Sequence, residues 1–208
     1  MRRYNAVKIF NIETGESNQL TEYKTMIPYL PQWIEGDAKI FLPVKGKDEV
    51  YPTGKTKNND ISNNIVVFEK NNKLVVKNLE NNTEQTFEPF KEAQYINVST
   101  SPDRTKIVFE VMGGNIFVMN SDGKNLVDLG KGNRPRWSLD SEKIICMITE
   151  DDGQNFTASD IFIVNADGTQ KKNLTNTTDL IEMNPSFAPD GKTIVFDLSG
   201  SIYLMNIE

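Results

Sequence analysis

Histidine is absent from all 208 residues. That removes Ser-His-Asp and Cys-His nucleophilic mechanisms and every His-ligated zinc or manganese site. Carboxylate, Lys, Tyr or Ser–Lys chemistry is left, along with hard-cation sites built from Asp and Asn oxygens. Cysteine occurs once, at Cys146, so no internal disulfide can form. It lies among apolar neighbours in "KIICMI", as a small buried hydrophobe does, with no local positive charge to favour a thiolate. No apolar run approaches the roughly 20 residues that span a bilayer. The start, "MRRYNAVKIF", has no apolar core and no small-residue cleavage site, so no signal peptide is visible. Positive charge is short as well. The net charge is −6, which argues against duplex nucleic acid as a ligand. Sustained 3.6-residue periodicity is missing throughout, and with it any case for helices.

What is present is repetition. "NPSFAPDGKTIVFDL" begins at Asn184, and "NRPRWSLDSEKIICMI" begins at Asn133. Aligned, they place Trp137 on Phe187, Pro135 on Pro185, Asp140 on Asp190 and Ile144 on Ile194. "NVSTSPDRTKIVFEV" from Asn97 places Asp103 on Asp190, and "LPQWIEGDAKIFLPV" from Leu30 places Trp33 on Phe187. A second phrase follows each copy, aligning on Asn78, Asn120, Asn165 and Asn206, and stands once more near the start on Asn11, at intervals of 67, 42, 45 and 41. Three of those intervals match the 40–50-residue period of propeller blades. The long one contains the polar stretch Lys45–Asn63, read as a loop insertion or a degraded blade.

One unit is readable in physical terms. "APDG" and "SPDR" supply a fixed φ and a local side-chain acceptor for a tight turn, and Gly191 supplies φ > 0. "KTIVF" and "IYLMN" are β-branched and aromatic, as strands are. "NADG" and "NSDG" end in the Asp-Gly pair of hairpins. A short outer strand completes a four-stranded antiparallel meander, which cannot bury both faces alone and must stack. Trp33, Trp137 and Phe187 are expected between sheets. The copy near Thr100 lacks this aromatic, so a thinner interface is expected there. The fold class is therefore all-β. It is a β-propeller of about five blades, one or two of them irregular, or else part of a six-bladed ring. One domain is expected over 1–208, with irregular blades in 1–94 and regular repeats in 95–208.

These phrases, with "NADGTQKKNLTN", resemble the repeats of the TolB-like β-propeller family, from about Thr21 to Glu208. With no catalytic constellation in the sequence, a fold of this kind is expected to be a protein- or peptide-binding scaffold without enzymatic activity, and the resemblance implies the periplasm or another extracytoplasmic space. A cytoplasmic location stays open. The same blades also occur in peptidase-associated propellers and pectin-fragment lyases, so a propeller domain or fragment of a larger enzyme is the alternative. Fold analogy does not choose between them. The lyases are expected to hold a metal through histidines, which this chain lacks.

Candidate residues come from position in the repeat. "TGKT" and "DGKT" lack the first glycine of a phosphate loop. "EDDGQN" (Glu150–Asn155) clusters acids without EF-hand spacing. It reads first as a solvated hairpin loop and second as a weak calcium site. Arg134 and Arg136 flank Pro135 at the start of an inner strand, where a guanidinium meets a partner carboxylate or serves as a plain surface charge. In a meander blade the short Asp-containing turns share one face. The loops between second and third strands share the other, where lengths vary and Thr149–Ser159 is long. Insertions on one face of a repeat array are a binding signal. The expected docking face comprises Lys45–Asn63, Asp151, Asp152, Asn155, Phe156, Arg134, Arg136 and Asn184. No cofactor is expected.

Overall fold

A computed structural model describes residues 6–22, 31–35, 37–44, 47–55 and 65–207. Among them are nineteen strands and no helix. In chain order the strands are β1 (Lys8–Phe10), β2 (Ser17–Gln19), β3 (Gln32–Ile34), β4 (Lys39–Val44), β5 (Lys47–Pro52), β6 (Ile65–Glu69), β7 (Leu74–Asn78), β8 (Thr83–Phe87), β9 (Tyr95–Thr100) and β10 (Lys106–Val111). They continue with β11 (Asn115–Asn120), β12 (Val127–Lys131), β13 (Asn133–Trp137), β14 (Lys143–Asp151), β15 (Phe156–Asn165), β16 (Lys172–Asn173), β17 (Glu182–Phe187), β18 (Thr193–Leu198) and β19 (Ser201–Asn206). Each sheet is a run of sequence neighbours: β1-β2, β3-β4-β5, β6-β7-β8, β9 to β12, β13 to β16, and β17-β18-β19. The chain divides into two compact units, Met1–Phe68 with Val76–Glu84, and Glu69–Val75 with Gln85–Glu208.

In the first unit, Lys45–Asn63 fits the degraded-blade reading, and the loop-insertion reading is corrected. Residues 47–52 are a strand, β5, pairing Leu42 with Glu49 and Ile40 with Tyr51. Its polar composition misleads because the polar groups have partners. Tyr51 donates to Glu49 at 2.5 Å, and Lys77 pairs with Asp48 and, at 3.3 Å, with Glu84. Positions 45, 46 and 56–63 lie outside the described residues. Trp33 also departs from expectation. It is 45% exposed and lines a small pocket with Phe10, Pro31 and Ile40. The buried ring of that sheet is Phe41, 6.0 Å from Phe68.

The second unit holds the regular repeats. Val108, Ile116, Val118 and Leu129 of one sheet meet Ile144, Cys146 and Val164 of the next, with Trp137 packed against the group. Ile145, Met147 and Ile161 meet Ile194 and Phe196 in the same way, with Phe187 packed against them. Both aromatics therefore sit between sheets, as their alignment implies. Each buried aliphatic side chain contributes about 1.5–3 kcal/mol. Thr100 stands in β9 where Trp137 and Phe187 stand in the other sheets, yet the β9–β12 sheet is not bare. Val108 faces the following sheet, so Phe109 faces away from it. There Phe109 meets Tyr95 edge-on at 5.4 Å and Phe117 at 5.7 Å, and Phe117 meets Phe90 at 4.6 Å.

The turns behave as the motif implies. Asp103 accepts the Thr105 amide, Asp140 the Glu142 amide, and Asp190 the Lys192 and Thr193 amides. Gly191 has φ 69°, but its counterparts Arg104 and Ser141 hold φ 63° without being glycine. Gly132 is the sole residue between β12 and β13. A Cβ there would lie 2.5 Å from Ile116 Cδ1 and 3.0 Å from Cys146 Sγ, so a larger residue would force the Ile116 side chain to shift.

Thr149–Ser159 is the second correction. It is mostly strand, because β14 and β15 stay paired out to Asp151 and Phe156. Only residues 152–155 form the loop. Ser159 is buried. Its amide donates to Leu180 O at 3.0 Å and its hydroxyl to Glu182 O at 2.7 Å.

Candidate functional site

The first strands β9, β13 and β17 share an irregularity that positions the site. Each has a register shift against its neighbour, near Glu110, between Asn133 and Arg136, and between Met183 and Ser186. Asn97, Arg134 and Asn184 stand there with φ of 52°, 52° and 55°. These are the positions that align across the three copies. Asn tolerates the left-handed region better than most residues; Arg does not share that advantage. Pro135 and Pro185 follow two of them and have no N–H to give a ladder, which a bulge accommodates. Backbone strain of this kind costs about 1–3 kcal/mol per residue and clusters at functional sites.

Around these bulges lies a polar network. Glu110 is buried. It accepts from Asn97 Nδ2 at 2.8 Å, Asn133 Nδ2 at 2.9 Å and the Arg134 amide at 3.0 Å. Three donors satisfy a carboxylate that burial would otherwise penalise. Asp197, three residues after Ile194 as Glu110 is after Ile107, accepts from Asn184 Nδ2. The Asn184 side-chain oxygen in turn accepts from the Arg134 guanidinium. Arg136 is half-buried and donates to Pro135 O at 3.0 Å. Burial, and then the nearby Arg134 charge, lowers Arg136 from its ordinary value, but a guanidinium stays charged at neutral pH.

The β14–β15 hairpin supplies the remaining candidates. Asn133 lies opposite Met147, so the hairpin runs on beyond the start of β13 to Asp151 and Phe156. The four strand residues from Ile148 to Asp151 carry it about 14 Å past Asn133. Arg134 and Asn184 are therefore brought into contact, with Arg136 beside them. Asp151, Asp152, Asn155 and Phe156 stand off at the same end of the sheet. The Asp152 carboxylate accepts the amides of Asn155 at 2.8 Å and Gln154 at 2.9 Å, and Asp151 accepts that of Gly153 at 2.9 Å. The Asn155 and Gln154 amides hold Asp152 below the usual carboxylate range. Phe156 is 48% exposed. The acids of "EDDGQN" thus order their own turn. Among the described residues, no three Asp, Glu, Cys or His side chains are grouped as a metal site requires.

Glu110, Asn97, Asn133 and Asp197 were not among the sequence candidates. A signal for two of them existed: Glu110 and Asp197 fall at equivalent repeat positions, each paired with an equivalent Asn.

No protein-family model matches the chain, and no curated protein matches it. Solved structures do. A putative TolB from Agrobacterium tumefaciens is similar over 97% of this chain and 84% of its own, at 15% identity and a TM-score of 0.57. An oligogalacturonate lyase in complex with manganese is similar over 98% and 70%, at 12% identity and 0.60. The tricorn protease is similar over 92% of this chain but 22% of its own, at 11% identity and 0.53. The fold is a β-propeller, similar to that of TolB. The expectation that the chain is not an enzyme is corrected by the same findings. A lyase and a protease share this fold, so propeller architecture does not separate binding modules from enzymes.

Proposed function

We propose that the chain is a propeller scaffold that docks a protein or peptide at the end of its repeats where the first strands begin. The observation that carries this reading is the contact of Arg134 with Asn184 across neighbouring sheets, at strained positions repeated three times. Backbone strain of this kind clusters at functional sites. The protruding hairpin adds Phe156 and the acids Asp151 and Asp152 beside it, with Asn155 in the turn. The resemblance to TolB supports an extracytoplasmic setting. The test is site-specific photo-crosslinking in the source cells, from Phe156 and Asn184 at this end and from Asp167 in the opposite turns. One protein species captured from the first two sites, and not from Asp167, supports the reading. Capture from Asp167 alone overturns it. A second reading, a propeller domain belonging to a larger enzyme, is favoured by the tricorn protease, of whose chain the similarity covers 22%. Peptidase and polygalacturonate-cleavage assays on the full gene product decide it.

A further inference from the structure

Arg134 and Arg136 are two cations on one short strand, separated by a single buried proline. Asn184 accepts from the first, and the carbonyl of Pro135 accepts from the second. Among the described residues no carboxylate reaches ion-pair distance of either guanidinium. The two acids nearby are already engaged: Glu110 with Asn97, Asn133 and the Arg134 amide, and Asp197 with Asn184. Arg136 is half-buried, so part of its hydration is lost, yet one neutral carbonyl is its only described acceptor. A partly desolvated charge left in that state gains when an opposite charge arrives. A guanidinium offers five donors in a planar fork that matches a carboxylate edge to edge.

We propose that Arg136, with Arg134 beside it, seats a carboxylate presented by the docked partner, either an acidic side chain or a free C-terminus. This rests on the docking face proposed above and names the chemistry it recognises. Asn184 holds the Arg134 guanidinium in place. Arg136 supplies the paired hydrogen bonds. Binding then replaces the weak Pro135 contact by a charge-assisted pair, which is shorter and stronger than a neutral bond.

Citrate is the probe. In a Trp33→Phe background Trp137, next to Arg136, is the one remaining tryptophan, and its fluorescence is followed at constant ionic strength. A saturable change with citrate is expected, with none for matched sodium chloride. Arg136→Gln should weaken the midpoint about tenfold or more and Arg134→Gln about threefold, whereas Arg136→Lys keeps charge but loses the fork and falls between. Inorganic phosphate should bind more weakly than citrate. The proposal is overturned if citrate acts like sodium chloride, if Arg136→Gln titrates as its parent, or if phosphate saturates first. Should Arg136→Gln fail to fold by circular dichroism, Arg136→Lys and Arg134→Gln decide, and parental titration by both overturns it. Crosslinking from Phe156 reads the docking face without using Arg136, so the two readings fail separately.

Discussion

The guanidinium of Arg134 donates to the side-chain oxygen of Asn184, fifty residues further along the chain. Both residues occupy the same place in successive repeats, and both carry a positive φ. Asn184→Ala should therefore release Arg134 while leaving the β17 backbone strained. The expected result is a loss of about 1–3 kcal/mol, for two exposed hydrogen bonds, to Arg134 and Asp197, and an αL residue without a tolerant side chain. Asn184→Gly should lie between the alanine variant and the parent, because glycine carries no αL penalty but still lacks the bonds to Arg134 and Asp197. Urea melts of the two variants measure it.

Trp137 packs between two sheets, and Trp137→Ala should cost about 3–5 kcal/mol through the cavity it leaves. Its indole Nε1 is buried without an acceptor among the described residues. Trp137→Phe should therefore be mild, within about 1 kcal/mol, because the lost ring area is offset by removing an unsatisfied donor. Equal losses for both variants in denaturant melts would show that the polar atom, and not the volume, matters.

The first-strand turns differ in one respect. Ser101 and Ser138 each donate to the turn aspartate and accept the amide of Lys106 or Lys143. The third copy has Ala188 at this place. The Thr193 amide is already held by Asp190, so Ala188→Ser should add only the hydroxyl bond to that aspartate and stabilise by about 0.5–1 kcal/mol. Calorimetry should show a higher melting temperature; a fall would mean that the hydroxyl clashes with Asp190 or Thr193.

Acid should weaken these turns. The Ser138 hydroxyl, then the Glu142 amide, hold Asp140 below the usual carboxylate range. At Asp103 burial pushes upward, but bonds from Ser101 and Thr105 outweigh it. Groups depressed on folding stabilise fully above the unfolded value of about 3.9, and that contribution disappears as pH falls through the folded value. Urea midpoints should thus be insensitive to these groups from pH 5 to 7 and drop below about pH 4. Asp140→Asn should make the acid limb shallower.

Cys146 is a buried thiol, and burial pushes it to about 11. At pH 8 it should resist a thiol reagent in the native state and react at once in denaturant. Rapid native labelling would mean that the β14 core opens locally.

The hairpin can be shortened to a defined limit. Replacing residues 152–155 with Asn-Gly should change stability by less than about 0.5 kcal/mol, as exposed loop changes do. Extending the deletion to Ser159 removes its bonds to Leu180 and Glu182 and should cost several times as much. Denaturant midpoints of the two deletions separate the cases.

The repeat was legible because turns and buried aromatics are local signals. Proline, aspartate and glycine dictate a turn within four residues, and Trp137 and Phe187 announce a buried first strand. β5 and the outer half of the β14–β15 hairpin were not legible. Their polar side chains read as loop, while the strand character comes from pairing with a neighbour. Trp33 and Trp137 look alike in sequence; only the surrounding sheets determine which ring is covered. Arg134, Arg136 and Asn184 were reached through repeat position. Glu110 and Asn133 were missed because their bond joins residues 23 apart, and nothing local in "VFEVMGG" marks that carboxylate as the centre of a network.

Gly132 joins two sheets with a single residue, and a side chain there would press on Ile116 and Cys146. A link that short cannot act as a hinge. Val108 and Ile116 on one side and Ile144 and Cys146 on the other are locked into a shared layer by the same close approach. The β9–β12 and β13–β16 sheets should consequently open together, with amide exchange in β11 and β14 converging on one free energy. A bulkier residue at 132 would wedge this joint apart and let each sheet unravel on its own schedule, turning a cooperative transition into a stepwise one.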